Sequence, residues 1–257
     1  MIGSFSFNGV ESSSFNLVCK SVTRPLLPAV KTRRIEIPGM SGLYDLDING
    51  VDYEYEMRTV TMLIQYIGSS YIELRTRARQ ISAWLSTQGF KRLIINDEND
   101  KYYSAKVTSE INLESLWESG SAEISFDCQP FAYSVTEQIL TYNGIAALDV
   151  DFTNPGTRTI TYKSPPGSRF HIQITGSWTT LAVGINGAVI QYPIAGSGVL
   201  TIDNIDMEVY LDGVNKFSVI TGNYDTFLKV IPGENNLIIS GAGINANVIV
   251  RYIPLWL

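Results

Sequence analysis

Metal ligation and nucleophilic catalysis draw on histidine, cysteine and convergent carboxylates, and this chain of 257 residues is short of the first two. It holds one histidine, His171, and two cysteines, Cys19 and Cys128. The cysteines stand far apart and fit no CxxC or zinc spacing, so they read as two small buried hydrophobes. His171 lies in the strand-like Phe170-His171-Ile172 with no second ligand of its kind, and reads as structural. The run Asn96-Asp97-Glu98-Asn99-Asp100 clusters oxygen ligands as a calcium loop does. It lacks the interior Gly and closing Glu of an EF-hand, and strand-like sequence flanks it, so a hairpin turn is expected. Asp203, Asp206, Glu208 and Asp225 offer the paired carboxylates of a glycosidase, but no motif selects two of them. There is no GxSxG elbow, no Walker A sequence and no GxGxxG opening a helix. Trp178, Tyr192, Tyr210, Tyr224 and Trp256 offer faces for stacking on sugar rings, and their strand-alternation positions suit core or interface packing. No cofactor or metal is called for, and no enzyme activity is expected.

Composition narrows the class. Hydrophobic residues make up 45% and charged residues 17%, which is enough apolar side chain to build a core. The net charge of −6 disfavours electrostatic binding to nucleic acid. No apolar run approaches the ~18 residues of a membrane-spanning helix, and the N-terminus shows no basic start before a long apolar stretch.

The positioning elements change character along the chain. Residues 1–133 carry 29 charged side chains, whereas residues 134–257 carry 15 and hold 13 of the 21 glycines. That step in texture predicts two domains, 1–133 and 134–257. In the first, Phe5 and Phe7 alternate before Asn8-Gly9, a tight-turn signal. A long hairpin is expected around Asn49-Gly50. Its exit strand alternates Val51, Tyr53, Tyr55 and Met57 with Asp52, Glu54 and Glu56, giving one apolar and one acidic face. Thr59-Val60-Thr61-Met62-Leu63-Ile64 continues as strand. Residues 70–88 are helical instead: Tyr71, Leu74, Ala78, Ile81 and Leu85 form one stripe. Ser70 with Glu73 has the form of a capping box, and Gly89 supplies a left-handed stop. Arg75, Arg77 and Arg79 fall on the other faces as a solvated basic side.

The second half shows no helical stripe. Asn154-Pro155-Gly156, Ser164-Pro165-Pro166-Gly167, Asn186-Gly187, Asp212-Gly213 and Pro232-Gly233 punctuate short strand candidates. Those candidates include Phe170–Ile174, Leu181–Ile185, Val199–Ile202, Val209–Leu211 and Asn247–Val250. This rhythm predicts an antiparallel sandwich of jelly-roll type.

Several segments resemble the siphophage distal tail protein (Dit) family. They are Val22-Thr23-Arg24-Pro25-Leu26-Leu27-Pro28, Arg34-Ile35-Glu36-Ile37-Pro38-Gly39-Met40-Ser41-Gly42 and Ala83-Trp84-Leu85. Leu93-Ile94-Ile95-Asn96-Asp97, Lys101-Tyr102-Tyr103-Ser104-Ala105-Lys106-Val107 and Ile124-Ser125-Phe126-Asp127-Cys128-Gln129-Pro130-Phe131 follow in order. Asn154-Pro155-Gly156-Thr157, Leu200-Thr201-Ile202-Asp203 and Leu228-Lys229-Val230-Ile231-Pro232-Gly233-Glu234-Asn235 continue the likeness through the second half. The resemblance implies a mainly β protein: a tail-tube-like β-sandwich or split barrel with one α-helix, then a galectin-like β-sandwich. It implies a virion protein, made in the host bacterial cytoplasm, that forms a hexameric ring at the distal end of a long non-contractile tail. Its implied partners are copies of itself (stacked back to back when isolated), the tail tube protein and a tail-associated tip or fibre protein. The length suits compact members of the family.

A closed ring needs a heterologous interface with apolar anchors. The expected interface residues are Asn49, Gly50, Tyr53, Tyr55 and Met57 on the hairpin, which would otherwise expose apolar area on a ribbon. Asp52, Glu54 and Glu56 are expected to face the lumen, where like charge repels passing DNA. The competing reading is a carbohydrate-binding module for host cell-wall glycans, which predicts exposed aromatics lining a groove in residues 134–257.

Overall fold

The computed structural model describes residues 3–32, 34–45, 54–68, 70–110, 120–223 and 227–257. The chain forms two compact units, residues 1–132 with Leu257 and residues 133–256.

The first unit contains β1 (Phe5–Phe7), β2 (Val10–Glu11), β3 (Leu17–Thr23), β4 (Arg34–Ile35), β5 (Tyr44–Asp45), β6 (Arg58–Tyr66), α1 (Tyr71–Leu85), β7 (Lys91–Ile95), β8 (Lys101–Val107) and most of β9 (Ala122–Ser134). Seven of these strands make one sheet in the order β2-β1-β7-β8-β9-β6-β3. The sheet curls on itself. Gly3, just before β1, exchanges backbone hydrogen bonds with Cys19 of β3 at 3.2 and 2.7 Å, which joins the two ends of the path. Closure of this kind removes most of the exposed edge. Period-two alternation supplies the interior: in β6, Val60, Met62, Ile64 and Tyr66 are buried. The Asn8-Gly9 turn has φ of 52° and 77°, positive at both central residues as a tight two-residue hairpin requires.

The helix lays Leu74, Ile81, Trp84 and Leu85 against this sheet. Three of those four belong to the predicted stripe, and Tyr71 and Ala78 are half-buried at its rim. Two expectations about its ends differ from the structure. Ser70 is the extended N-cap residue but makes no capping hydrogen bond, and Glu73 bonds Arg77 one turn on at 3.1 Å instead. That i,i+4 ion pair competes for the carboxylate a capping box would use. The helix stops at Leu85, and left-handed Gly89 (φ 69°) turns the chain three residues past the Ser86 cap rather than at it.

Both thiols are free and buried. Burial pushes the Cys19 thiol up to about 11 and the Cys128 thiol up to about 12. Unfolding returns each to its ordinary value of 9.0, so the unfolded chain sheds protons first as pH rises. The thiols' contribution to the first unit's stability is therefore expected to be constant below pH 9.0 and to be lost as pH climbs toward about 12. A thiol reagent at pH 8 should label neither cysteine in the native protein and both in denaturant. Fast labelling of the folded chain would contradict the buried assignment.

The second unit contains β10 (Gln138–Ile145), β11 (Leu148–Asn154), β12 (Phe170–Trp178), β13 (Thr180–Ile185), β14 (Ala188–Tyr192), β15 (Gly196–Asp203), β16 (Glu208–Leu211), β17 (Val214–Asn215), β18 (Thr221–Gly222), β19 (Gly233–Ala242), β20 (Asn245–Tyr252) and β21 (Leu255–Trp256). Of these, β10 to β20 form a six-stranded sheet, β10-β20-β12-β15-β16-β17, and a five-stranded sheet, β11-β19-β13-β14-β18, whereas β21 pairs with β9. The register aligns apolar rows: Ile174 lies opposite Val248 on one side and Leu200 on the other. Leu181, Val183, Ile185, Leu237 and Ile239 supply the buried row of the second sheet. Phe152 meets Tyr252 across the layers at 5.8 Å, and Trp178 meets Tyr192 edge-on at 6.0 Å. The predicted sandwich is therefore present, and Asn186-Gly187 and Asp212-Gly213 take positive φ at both positions of their hairpins. The residues 253–256 seal it. Ser134 N–H donates to the Pro254 carbonyl at 3.0 Å, and Thr157 and Arg158 N–H share the Leu255 carbonyl at 2.9 and 3.1 Å.

Candidate subunit interface

Between β3 and β6 the chain leaves the first unit's sheet as an arm. Its root is fixed from both sides. Arg24 grips Asp97 with two nitrogens at 3.2 and 3.0 Å, and lies 3.9 Å from Glu98. Lys101 holds Glu98 at 3.0 Å and Asp100 at 3.1 Å, so the acidic turn between β7 and β8 is a bracket for the arm. Arg58 opens β6 and is buried. Its guanidinium donates to the carbonyls of Pro130 and, at 3.5 Å, Pro25, and its centre lies 5.5 Å from the Tyr103 ring centroid. Burial pulls its pKa down, opposed by Coulomb attraction to the Tyr103 and Cys128 groups in their ionised forms, and two carbonyl acceptors take part of the place of the lost water.

Beyond the root, Lys31 N–H donates to the Glu54 carbonyl and Glu56 N–H to the Ala29 carbonyl, both at 2.8 Å. Val30 thus bridges Tyr55 in an antiparallel ladder, and farther out Ile35 pairs with Tyr44 between β4 and β5. Met40 N–H closes a turn on the Ile37 carbonyl at 3.0 Å. The tip expected at Asn49-Gly50 lies outside the described residues; the ladder places residues 29–31 opposite 54–56, with Pro25 to Pro28 leading into it as the arm's first leg.

The arm is apolar and exposed. Leu26 is 95% exposed between its two prolines, and Leu27, Ile35, Ile37, Leu43 and Met57 are exposed with it. A soluble chain rarely leaves so many large apolar side chains on one short ribbon unless another surface covers them. Of the expected interface residues, Met57 is 52% exposed, while Tyr55 is half-buried with its ring edge on Phe131 at 5.7 Å. Asn49, Gly50 and Tyr53 lie outside the described residues, as does Asp52. Glu54 and Glu56 are exposed. Sequence reasoning missed the exposed Leu26-Leu27 leg and the Arg24 and Arg58 clamps. The Pro25-x-x-Pro28 bracket was the signal available for the leg, since two fixed φ angles make a stiff presentation.

The features that would support other chemistry fall elsewhere. Trp178 and Tyr192 are core residues, Tyr210 bonds Glu208, and Tyr224 and Asp225 lie outside the described residues. His171 sits half-buried on β12. Burial lowers its pKa, while Glu137 and Asp203 raise it. Among the described residues no group of three His, Cys, Asp or Glu converges to hold a metal ion.

Residues 11–128 match the family model of the phage tail protein RIFT-related domain. Across the whole chain, the structure of the Dit protein of phage SPP1, described as a paradigm of hub adsorption apparatus in Gram-positive infecting phages, superposes with a TM-score of 0.71. That match covers 98% of this chain and 99% of the other at 12% identity. Residues 11–128 thus form a phage tail RIFT-related domain, and the chain as a whole has the fold of that Dit protein. The phage p2 baseplate in its activated conformation with calcium is a more distant likeness, at a TM-score of 0.45 and 11% identity over 98% of each chain. No curated protein sequence matches the chain. The Dit-like fold gives the arm a context: it springs from the RIFT-related domain, the half of the chain that carries the phage-tail signature.

Proposed function

We propose that the chain is a phage tail protein that assembles as a ring of six at the distal end of a long non-contractile tail. There it joins the tail tube protein above to a tail-associated tip or fibre protein below, and DNA passes through its lumen. The exposed apolar arm carries the reading: it is rigidly rooted, it emerges from the phage-tail domain, and its side chains call for a protein surface to cover them. Glu54, Glu56 and Asp52 would face the lumen, where carboxylates repel the passing phosphate backbone within a Debye length of about 8 Å. Production in the host cytoplasm and binding to neighbouring tail proteins belong to the same reading.

Solution mass tests it. Six copies of the 28.5 kDa chain give about 171 kDa, and twice that for two rings back to back. A species of 28.5 kDa alone at micromolar concentration overturns the ring. An electron micrograph of the purified protein reads the symmetry and the hole directly.

A further inference from the structure

The outward face of α1 is apolar, basic and open. Ile72 is 78% exposed, and Ile67, a few residues earlier, is exposed as well. Tyr71, Ile72, Arg75, Thr76 and Arg79 line an open groove of about 370 Å³. The helix carries three arginines and one glutamate in a chain whose net charge is −6. Glu73 takes Arg77 at 3.1 Å, which leaves the exposed Arg75 and Arg79, one turn apart, to set the charge of the groove.

The arm has the opposite chemistry. Among its described residues between Ala29 and Met57 stand Glu36, Asp45, Glu54 and Glu56 against Lys31 and Arg34. Its exposed Ile35, Ile37, Met40, Leu43 and Tyr44 stand among those charges. One patch is apolar and positive and the other is apolar and negative, and both lie in the same unit of every copy.

We propose that the groove on α1 receives the arm of a neighbouring copy, with the arm's apolar side chains covering Ile72 and its Glu36 carboxylate facing Arg75 and Arg79. This rests on the ring reading and adds the receiving surface to it. A contact between two different patches is heterologous, the kind that closes into a ring when the rotation between neighbours divides the full turn evenly. Opposite charge also sets the pairing. Arm against arm or groove against groove brings like charges together, whereas arm against groove does not.

Charge exchange in the full-length protein tests the pairing, with native mass as the readout and the thermal midpoint as the check on folding. Arg75 and Arg79 are exposed on the helix, and Glu36 is exposed on the arm, so reversal at these sites leaves the core intact. Arg75→Glu with Arg79→Glu is expected to raise the concentration at which the ring dissociates by about tenfold or more, and Glu36→Lys to raise it in the same direction. The three changes together should restore much of the assembly, because the charges again oppose. Rings unaffected by the helix reversal, or no recovery in the threefold variant, overturn the groove as the arm's seat while leaving the ring standing. An unaltered protein that stays monomeric overturns the ring reading itself.

Discussion

Trp84→Ala is expected to destabilise the first unit by about 3–5 kcal/mol, the range for emptying a large aromatic site in a close-packed interior. Trp84 is the keystone between helix and sheet. Its indole stacks on Phe15 at 4.8 Å and on Phe5 at 5.7 Å, and meets Phe7 edge-on at 6.3 Å. Its Nε1–H donates to the Phe7 carbonyl at 2.8 Å. Alanine removes the ring contacts and also strands that carbonyl beneath the helix. Trp84→Phe keeps most of the area and loses only the donor, so it should cost about 1–2 kcal/mol. Urea unfolding followed by circular dichroism measures both, and the transition of the second unit should stay in place. A loss below about 1 kcal/mol for the alanine variant would mean that the helix packs through Leu74 and Ile81 alone.

Arg58→Met should cost about 2–4 kcal/mol and loosen the arm at its base. The methionine fills the volume but leaves the Pro130 and Pro25 carbonyls without their donor, and an unmet buried acceptor costs about 1–3 kcal/mol. Relief from burying a cation offsets part of that. Arg58→Lys keeps the charge but lacks the planar fork that reaches two carbonyls, so it should retain stability better than methionine while still freeing one leg of the arm. Hydrogen exchange across residues 29–31 and 54–56 reports the arm, and denaturation reports the fold. Unchanged protection in the methionine variant would show that the Arg24–Asp97 clamp holds the root by itself.

Local pattern made much of this architecture legible. Alternation placed β6 and β12, three-four spacing placed α1, and dipeptides such as Asn186-Gly187 placed hairpins, because each signal is written within a few residues of the structure it makes. The resemblance to distal tail proteins carried the fold class of both halves. What stayed hidden depends on partners distant in the chain. Arg58 reads in sequence as an ordinary surface charge before a strand. It is buried because carbonyls 33 residues before it and 72 after it converge there. Arg24 finds Asp97 across 73 residues in the same way. The capping box failed for a local reason, since Glu73 had a competing arginine four residues on. Tyr55 was read by alternation as an outward residue, but Phe131 lies within reach of its ring.

The way the two units are sealed sets the order in which a growing polypeptide can complete them. The seven strands along the path of the curled sheet, and the Gly3–Cys19 stitch, are available once β9 has been translated. The sandwich instead waits for the Pro254 and Leu255 carbonyls to tie down Ser134, Thr157 and Arg158. At about 5–20 residues per second, roughly ten seconds separate those moments. During that interval the seven-stranded path and its arm are available to fold while the second unit still has open strand edges, and an unpaired edge is a template for misassociation.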